Sequence, residues 1–156
     1  MKVRTATTVP HVDEVDTSFL ETLLGYNVRR ATLAVMDVFF ERMAPYGLRP
    51  VDLSVLSLVA HNPGITSRQL CTTLGVLPPN LVGLVGGLEK RELVERKPHP
   101  HDGRAMGLHL TAAGHKFTRD AEKTAAALES EVASALTAAE LKTLIRLLKK
   151  VYLPPA

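Results

Sequence analysis

Between Ile65 and Thr111 the hydrophobic period changes once, from helical to extended, and that change constrains the chain more than any other feature. Thr66 can cap a short helix through its hydroxyl, with Gln69 three residues on to close a capping box. Leu70, Cys71 and Leu74 fall on one face of this helix, and Gly75 supplies its stop. A second helix is expected from Pro78, because proline is tolerated in a first turn where its missing N–H costs nothing. Leu81, Leu84, Val85 and Leu88 then recur at i, i+3, i+4 and i+7. After Arg91 the period falls to two. Residues 93–97 read as one strand and 105–110 as another, with Met106, Leu108 and Leu110 on one face. Two helices across a tight turn, followed by a basic-tipped hairpin, spell a winged helix-turn-helix, a fold that sets one helix into a DNA groove.

Long helical patterns flank this segment. Over 17–43, Leu20, Leu24, Val28, Ala31, Val35 and Val38 recur at spacings of three and four, enough for a helix of ~40 Å. Ala44-Pro45-Tyr46-Gly47 breaks it, and Pro50 opens another helix with Val51, Val55, Leu58 and Val59 on its buried side. Beyond the hairpin, Thr111 caps a helix with a seam of Phe117, Ala121, Thr124 or Ala125, Leu128 and Val132. Thr137 and Glu140 make a capping box for the last helix, which stops before Pro154-Pro155. The expected architecture is mostly α: four helices, a β-hairpin wing and two more helices in a single domain over 1–156. Within it, 50–111 form the winged module, 93–110 the wing, and 17–43 and 112–153 dimerisation helices. Residues 1–15 read as a loose arm. A small central module cannot bury the apolar faces of all the terminal helices, so a second copy is the economical partner. Packing of the first helix on the last within one chain is the competing explanation.

Composition excludes several classes. With 46% apolar residues the chain is globular, and with no tryptophan a deep aromatic cage is not expected. No apolar run approaches the ~18 residues of a membrane span. No apolar block follows Lys2 and Arg4, so a secretory signal is not expected. The single cysteine excludes an internal disulfide and suits a cytoplasmic protein. A net charge of +3 adds little for nucleic acid, although a homodimer doubles it. There is no Ser/His/Asp string, phosphate-cradling loop or HExxH, so neither an enzyme nor a cofactor is expected.

The order of elements and several local strings resemble the MarR family of bacterial transcription regulators. The most specific are Leu93-Val94-Glu95-Arg96, Asp102-Gly103-Arg104 and Leu110-Thr111-Ala112-Ala113-Gly114. Pro63-Gly64, Leu74-Gly75-Val76 and Leu88-Glu89 also match, and the resemblance covers about residues 17–153. It implies a homodimeric repressor whose recognition helices enter successive major grooves of a pseudo-palindromic site while the wings reach minor grooves. It also implies release by a small aromatic or phenolic acid, bound in a crevice between the dimerisation and DNA-binding regions.

Candidate DNA contacts follow. A guanidinium at the wing tip suits a narrow minor groove, which singles out Arg104, with Asp102 to hold its fork; a plain surface ion pair is the alternative. Lys97, His99 and His101 would face phosphates. Five basic residues between Glu89 and Arg104 are nearly cancelled by four acids (Glu89, Glu92, Glu95, Asp102), so outward orientation decides the field. On the second helix Asn80 can pair with adenine, or else cap the helix. The family's threonine, polar residue and arginine are here Asn80, Val82 and Gly83, with Gly86 and Gly87 beyond. Either the backbone approaches the groove closely at the glycines, or specificity leans on the wing and on DNA shape. Arg68 is a candidate phosphate contact or a solvated surface arginine.

For the effector, the polar candidates are Arg30, Asn27, His61 and His115, with Arg30 preferred because an acid needs a cation. No metal site is expected from the histidines, which lack a carboxylate or thiol at matched spacing, and Cys71 reads as an inert structural thiol. A winged-helix module that binds protein instead of DNA is the rival function. A paired Arg104 and Asp102 argue against it.

Overall fold

The computed structural model describes residues 13–99 and 102–153, with no account of the side chains of 99 and 102–105. The chain divides into two compact units, the first ending at Ala34 and the second beginning at Val35.

In the first unit, α1 (Ser18–Glu21) is a single turn and α2 (Leu24–Met43) begins after a break. The continuous helix expected over 17–43 is therefore interrupted at Thr22–Leu23. Side chains explain the interruption, since they offer the backbone partners that compete with the helical ladder. Thr22 Oγ1 donates to the Phe19 carbonyl at 2.7 Å, and Asn27 Nδ2 donates to the carbonyls of Glu21 (2.7 Å) and Leu23 (2.9 Å). No described residue of this unit is buried, and Phe19, Leu24 and Val28 lie on its surface.

The second unit contains the core. A 3₁₀ turn (Ala44–Tyr46) ends at Gly47, whose left-handed φ of 58° turns the chain. Next come α3 (Pro50–His61), β1 (Ile65–Thr66), α4 (Ser67–Leu74), α5 (Pro78–Lys90), β2 (Val94–His99), β3 (Asp102–Leu110), α6 (Ala112–Val132) and α7 (Ala138–Tyr152). Hydroxyls of Thr66, Thr111 and Thr137 accept from the backbone N–H three residues on, as their positions led one to expect. The strand order is β1-β3-β2, antiparallel throughout. Two-residue β1, which pairs Ile65 with Leu108 and Thr66 with Gly107, is absent from the sequence reading because alternation has no meaning over two residues. Both wing strands are longer than expected, and they pair from Val94↔Leu110 to His99↔Asp102.

Met43, Val55, Leu56, Leu70, Leu81, Val85, Leu88 and Leu108 fill a continuous core beneath the helix-turn-helix and the sheet. Two glycines let backbones meet in it. A Cβ on Gly114 would lie 1.9 Å from the Leu93 carbonyl oxygen, and one on Gly107 would lie 2.7 Å from that of Gly64. Gly114 thus seats the start of α6 on the root of the wing. At the other edge Tyr46 binds α6, its hydroxyl 3.1 Å from the Asp120 carbonyl and 2.8 Å from Thr124 Oγ1. Arg42 and Glu131 tie α2 to α6 through paired hydrogen bonds of 3.0 and 2.9 Å. The charged hydrogen bonds raise the arginine's pKa and lower that of the carboxylate. By contrast α7 buries nothing. Leu144, Ile145, Leu148 and Val151 are all exposed.

Candidate nucleic-acid interface

Helix α5 turns Leu81, Leu84, Val85 and Leu88 into the core. Its opposite face carries Pro79, Asn80, Val82, Gly83, Gly87 and Lys90, all exposed. Leu77 is the N-cap residue and makes no side-chain cap. Asn80 sits inside the first turn, not at the cap, so the capping alternative does not hold and its amide is exposed beside Gly83.

Nothing among the described residues calls for the three glycines of α5. A Cβ on Gly83, Gly86 or Gly87 would meet nothing within 4 Å, and none has a positive φ. Each costs a helix roughly 0.5–1 kcal/mol relative to alanine. Glycine that neither a turn nor internal packing requires leaves the backbone bare for close approach by another body.

Two arginines stand on opposite sides of this helix. On one side, Arg49 at the start of α3 shares a hollow with Val76, Pro79, Asn80 and Gly83. Its guanidinium is gripped by Asp52, Nε to Oδ2 and Nη2 to Oδ1 both at 2.8 Å, while the same carboxylate accepts the Arg49 backbone N–H at 2.9 Å. Burial pushes Asp52 up, but the hydrogen bonds from Arg49 and the charges of Arg49 and Arg91 outweigh it and leave the pKa below the usual value. The Arg49 side chain is 65% exposed, so the fork is held in place yet open to solvent. On the other side, exposed Arg68 of α4 borders a largely apolar hollow lined by Cys71, Pro78, Leu81 and Val82. Cys71 is half-buried there.

Other basic residues of the segment are engaged elsewhere. Arg96 pairs with Glu89 at 2.7 Å and ties β2 to the end of α5; Lys97 pairs with Glu95 at 2.9 Å. Arg91 donates to the carbonyls of Tyr46 (2.7 Å) and Gly47 (3.3 Å) and lies 5.0 Å over the Phe117 ring. The acids counted against the wing's charge therefore cancel it partly by direct pairing. At the wing tip, the backbone of Asp102 and Arg104 lies in β3, but their side chains and that of His99 are outside the described set, as is His101 altogether.

The effector candidates fall in both units. Asn27 is spent on the carbonyls at the α1–α2 break, and Arg30 is exposed on α2. In the second unit His61 Nε2 lies 3.0 Å from Glu122 Oε1, the oxygen to which Ser57 Oγ also donates. His115 is exposed seven residues before Glu122 on α6. Among the described residues no cluster of three or more His, Cys, Asp or Glu could hold a metal ion.

Of these residues, sequence reasoning missed Arg49. The signal was present, an arginine and an aspartate three apart at a helix start, but the proline between them sufficed to explain the helix.

A three-stranded winged helix-turn-helix with a bare recognition helix between two arginines defines a DNA-binding protein. The MarR family profile matches residues 46–105. A putative transcriptional regulatory protein for the hcr operon of Thauera aromatica is 30% identical over 130 residues, 83% of this chain and 78% of that protein. An HTH-type transcriptional repressor of Mycobacterium tuberculosis is 27% identical over 128 residues, covering 82% and 92%. Among solved structures, the repressor CouR bound to a 23-mer DNA duplex is 35% identical, with a TM-score of 0.84 over 89% of this chain and 99% of that one. CouR from Rhodococcus jostii RHA1 bound to p-coumaroyl-CoA is 27% identical, with a TM-score of 0.80 over 88% and 96%. The chain belongs to the MarR family of dimeric, DNA-binding transcription regulators, which are not enzymes. No helix among the described residues is long and apolar enough to cross a membrane.

Proposed function

We propose that this chain is a cytoplasmic homodimeric repressor that binds a pseudo-palindromic operator and leaves it when an aromatic acid, free or as a coenzyme A thioester, binds. The observation that carries the reading is α5, whose apolar face is buried and whose outer face, between Arg49 and Arg68, is thinned by glycines that meet nothing. The DNA-bound and p-coumaroyl-CoA-bound states of CouR support the two halves of the cycle. Unburied apolar residues along α7 support the dimer, because a two-fold axis would cover them and present two recognition helices to two half-sites.

In this reading Arg104 enters the minor groove with Asp102 holding its fork. Asn80 and Gly83 face the major groove, and Arg68, Lys97, His99 and His101 approach phosphates. Arg30, Asn27, His61 and His115 are the polar candidates for the effector, Arg30 foremost because an acid needs a cation and its charge is exposed on α2. Substituting Arg104→Ala tests the wing: affinity for operator DNA should fall tenfold or more at modest salt, about 1–3 kcal/mol per subunit. Unchanged affinity would remove the wing from the interface.

A further inference from the structure

The operator-facing surface of α5 has almost no hydrogen-bond donors, yet it displays apolar side chains that a soluble protein has reason to hide. Val82 is 66% exposed and Leu77, one residue before the helix, is 68% exposed. Val82 also lines the apolar hollow formed with Cys71, Pro78 and Leu81, on whose rim stands Arg68. In the major groove the one apolar feature of a base edge is the 5-methyl group of thymine. Resting on the DNA-binding reading above, we propose that this hollow reads thymine methyl groups, with Val82 as the specificity-determining contact. Gly83 and Gly87, four residues apart on the outer face, let the helix backbone sit close enough for so short a side chain to reach the base edges. Arg68 on one side and Arg49 on the other neutralise the flanking phosphates, which supply affinity but no sequence information.

The occupant is DNA and not another protein for two reasons on the molecule itself. The hollow opens beside an exposed arginine with no ion-pair partner among the described residues. The glycine stripe adjoins a second arginine whose fork is already fixed in place by Asp52. A protein-binding groove has no need of a cation on each side of a helix whose outer face is thinned by glycines.

The test uses the full chain and a duplex that it selects from a randomised pool. Each thymine of that duplex is replaced in turn by deoxyuridine, which removes the methyl and leaves every hydrogen-bonding group. At one or two positions per half-site, binding should weaken about fivefold. Val82→Ala should lose a similar factor on the thymine duplex and no longer distinguish thymine from uracil there. Gly83→Ala should raise the melting temperature, because the new Cβ meets open space, and yet weaken operator binding at least tenfold. Equal binding of every uracil duplex, or a Val82→Ala variant that still discriminates, would overturn the inference while leaving the regulator intact. A pool that yields no preferred sequence would overturn DNA reading altogether, and this inference with it.

Discussion

Asp52 carries two jobs with one carboxylate. It closes the first turn of α3 by accepting the Arg49 N–H, and it fixes the Arg49 guanidinium where that group can meet a phosphate. Because its pKa is lower in the folded chain than the ordinary 3.8, its stabilising share is fully present above about pH 4 and fades as pH falls through the folded value. Replacing Asp52 by Asn should therefore lower stability by about 1–2 kcal/mol near neutrality. That gap should shrink towards zero as denaturation is followed down to pH 2; a gap independent of pH would mean that the charge plays no part. Several single residues were legible without the structure, namely the three threonine caps and the buried stripe of α5, because each depends on neighbours within a turn. The partners of Arg96 and Arg91 were not, because Glu89 lies on another element and the Tyr46 and Gly47 carbonyls on a distant turn. What looked like wing charge for DNA is in part internal fastening.

Elements meet here through backbones as much as through side chains. The last glycine of the Leu110–Gly114 string was visible as a motif, but only the packing explains it: α6 begins where the Leu93 carbonyl leaves no room for a Cβ. Gly114→Ala should accordingly cost about 2 kcal/mol or more, measured by chemical denaturation, and should loosen the wing's root. An unchanged midpoint would mean that the α6–wing contact is looser than it looks. The α1–α2 break escaped the periodicity reading because apolar spacing runs straight through it. The competition that ends α1 lies in polar side chains, Thr22 and Asn27, to which a hydrophobic count is blind. Strand β1 escaped for the opposite reason, being too short to show a period.

At the scale of the whole molecule, the core of the second unit takes no residue from α7, and amphipathic α7 buries none of its own among the described residues. Covering by a second copy accounts for both. Leu144→Glu combined with Leu148→Glu should convert a dimer into a monomer in sedimentation equilibrium at micromolar concentration. Operator affinity should fall with it, since one half-site contact is lost; a wild-type chain that is itself monomeric there would remove the dimer. Steepness of salt dependence belongs to the same scale, because it counts the phosphates met by all the arginines together.

The most direct test of the regulator is fluorescence anisotropy of the full-length protein on the DNA just upstream of its own gene, against a scrambled duplex, across a range of salt. Tight, sequence-selective binding with a steep salt slope is expected, and addition of p-coumaroyl-CoA or an aromatic acid should then be screened for release. Binding no tighter than to the scrambled duplex would contradict it and leave the bare face of α5 to a protein partner.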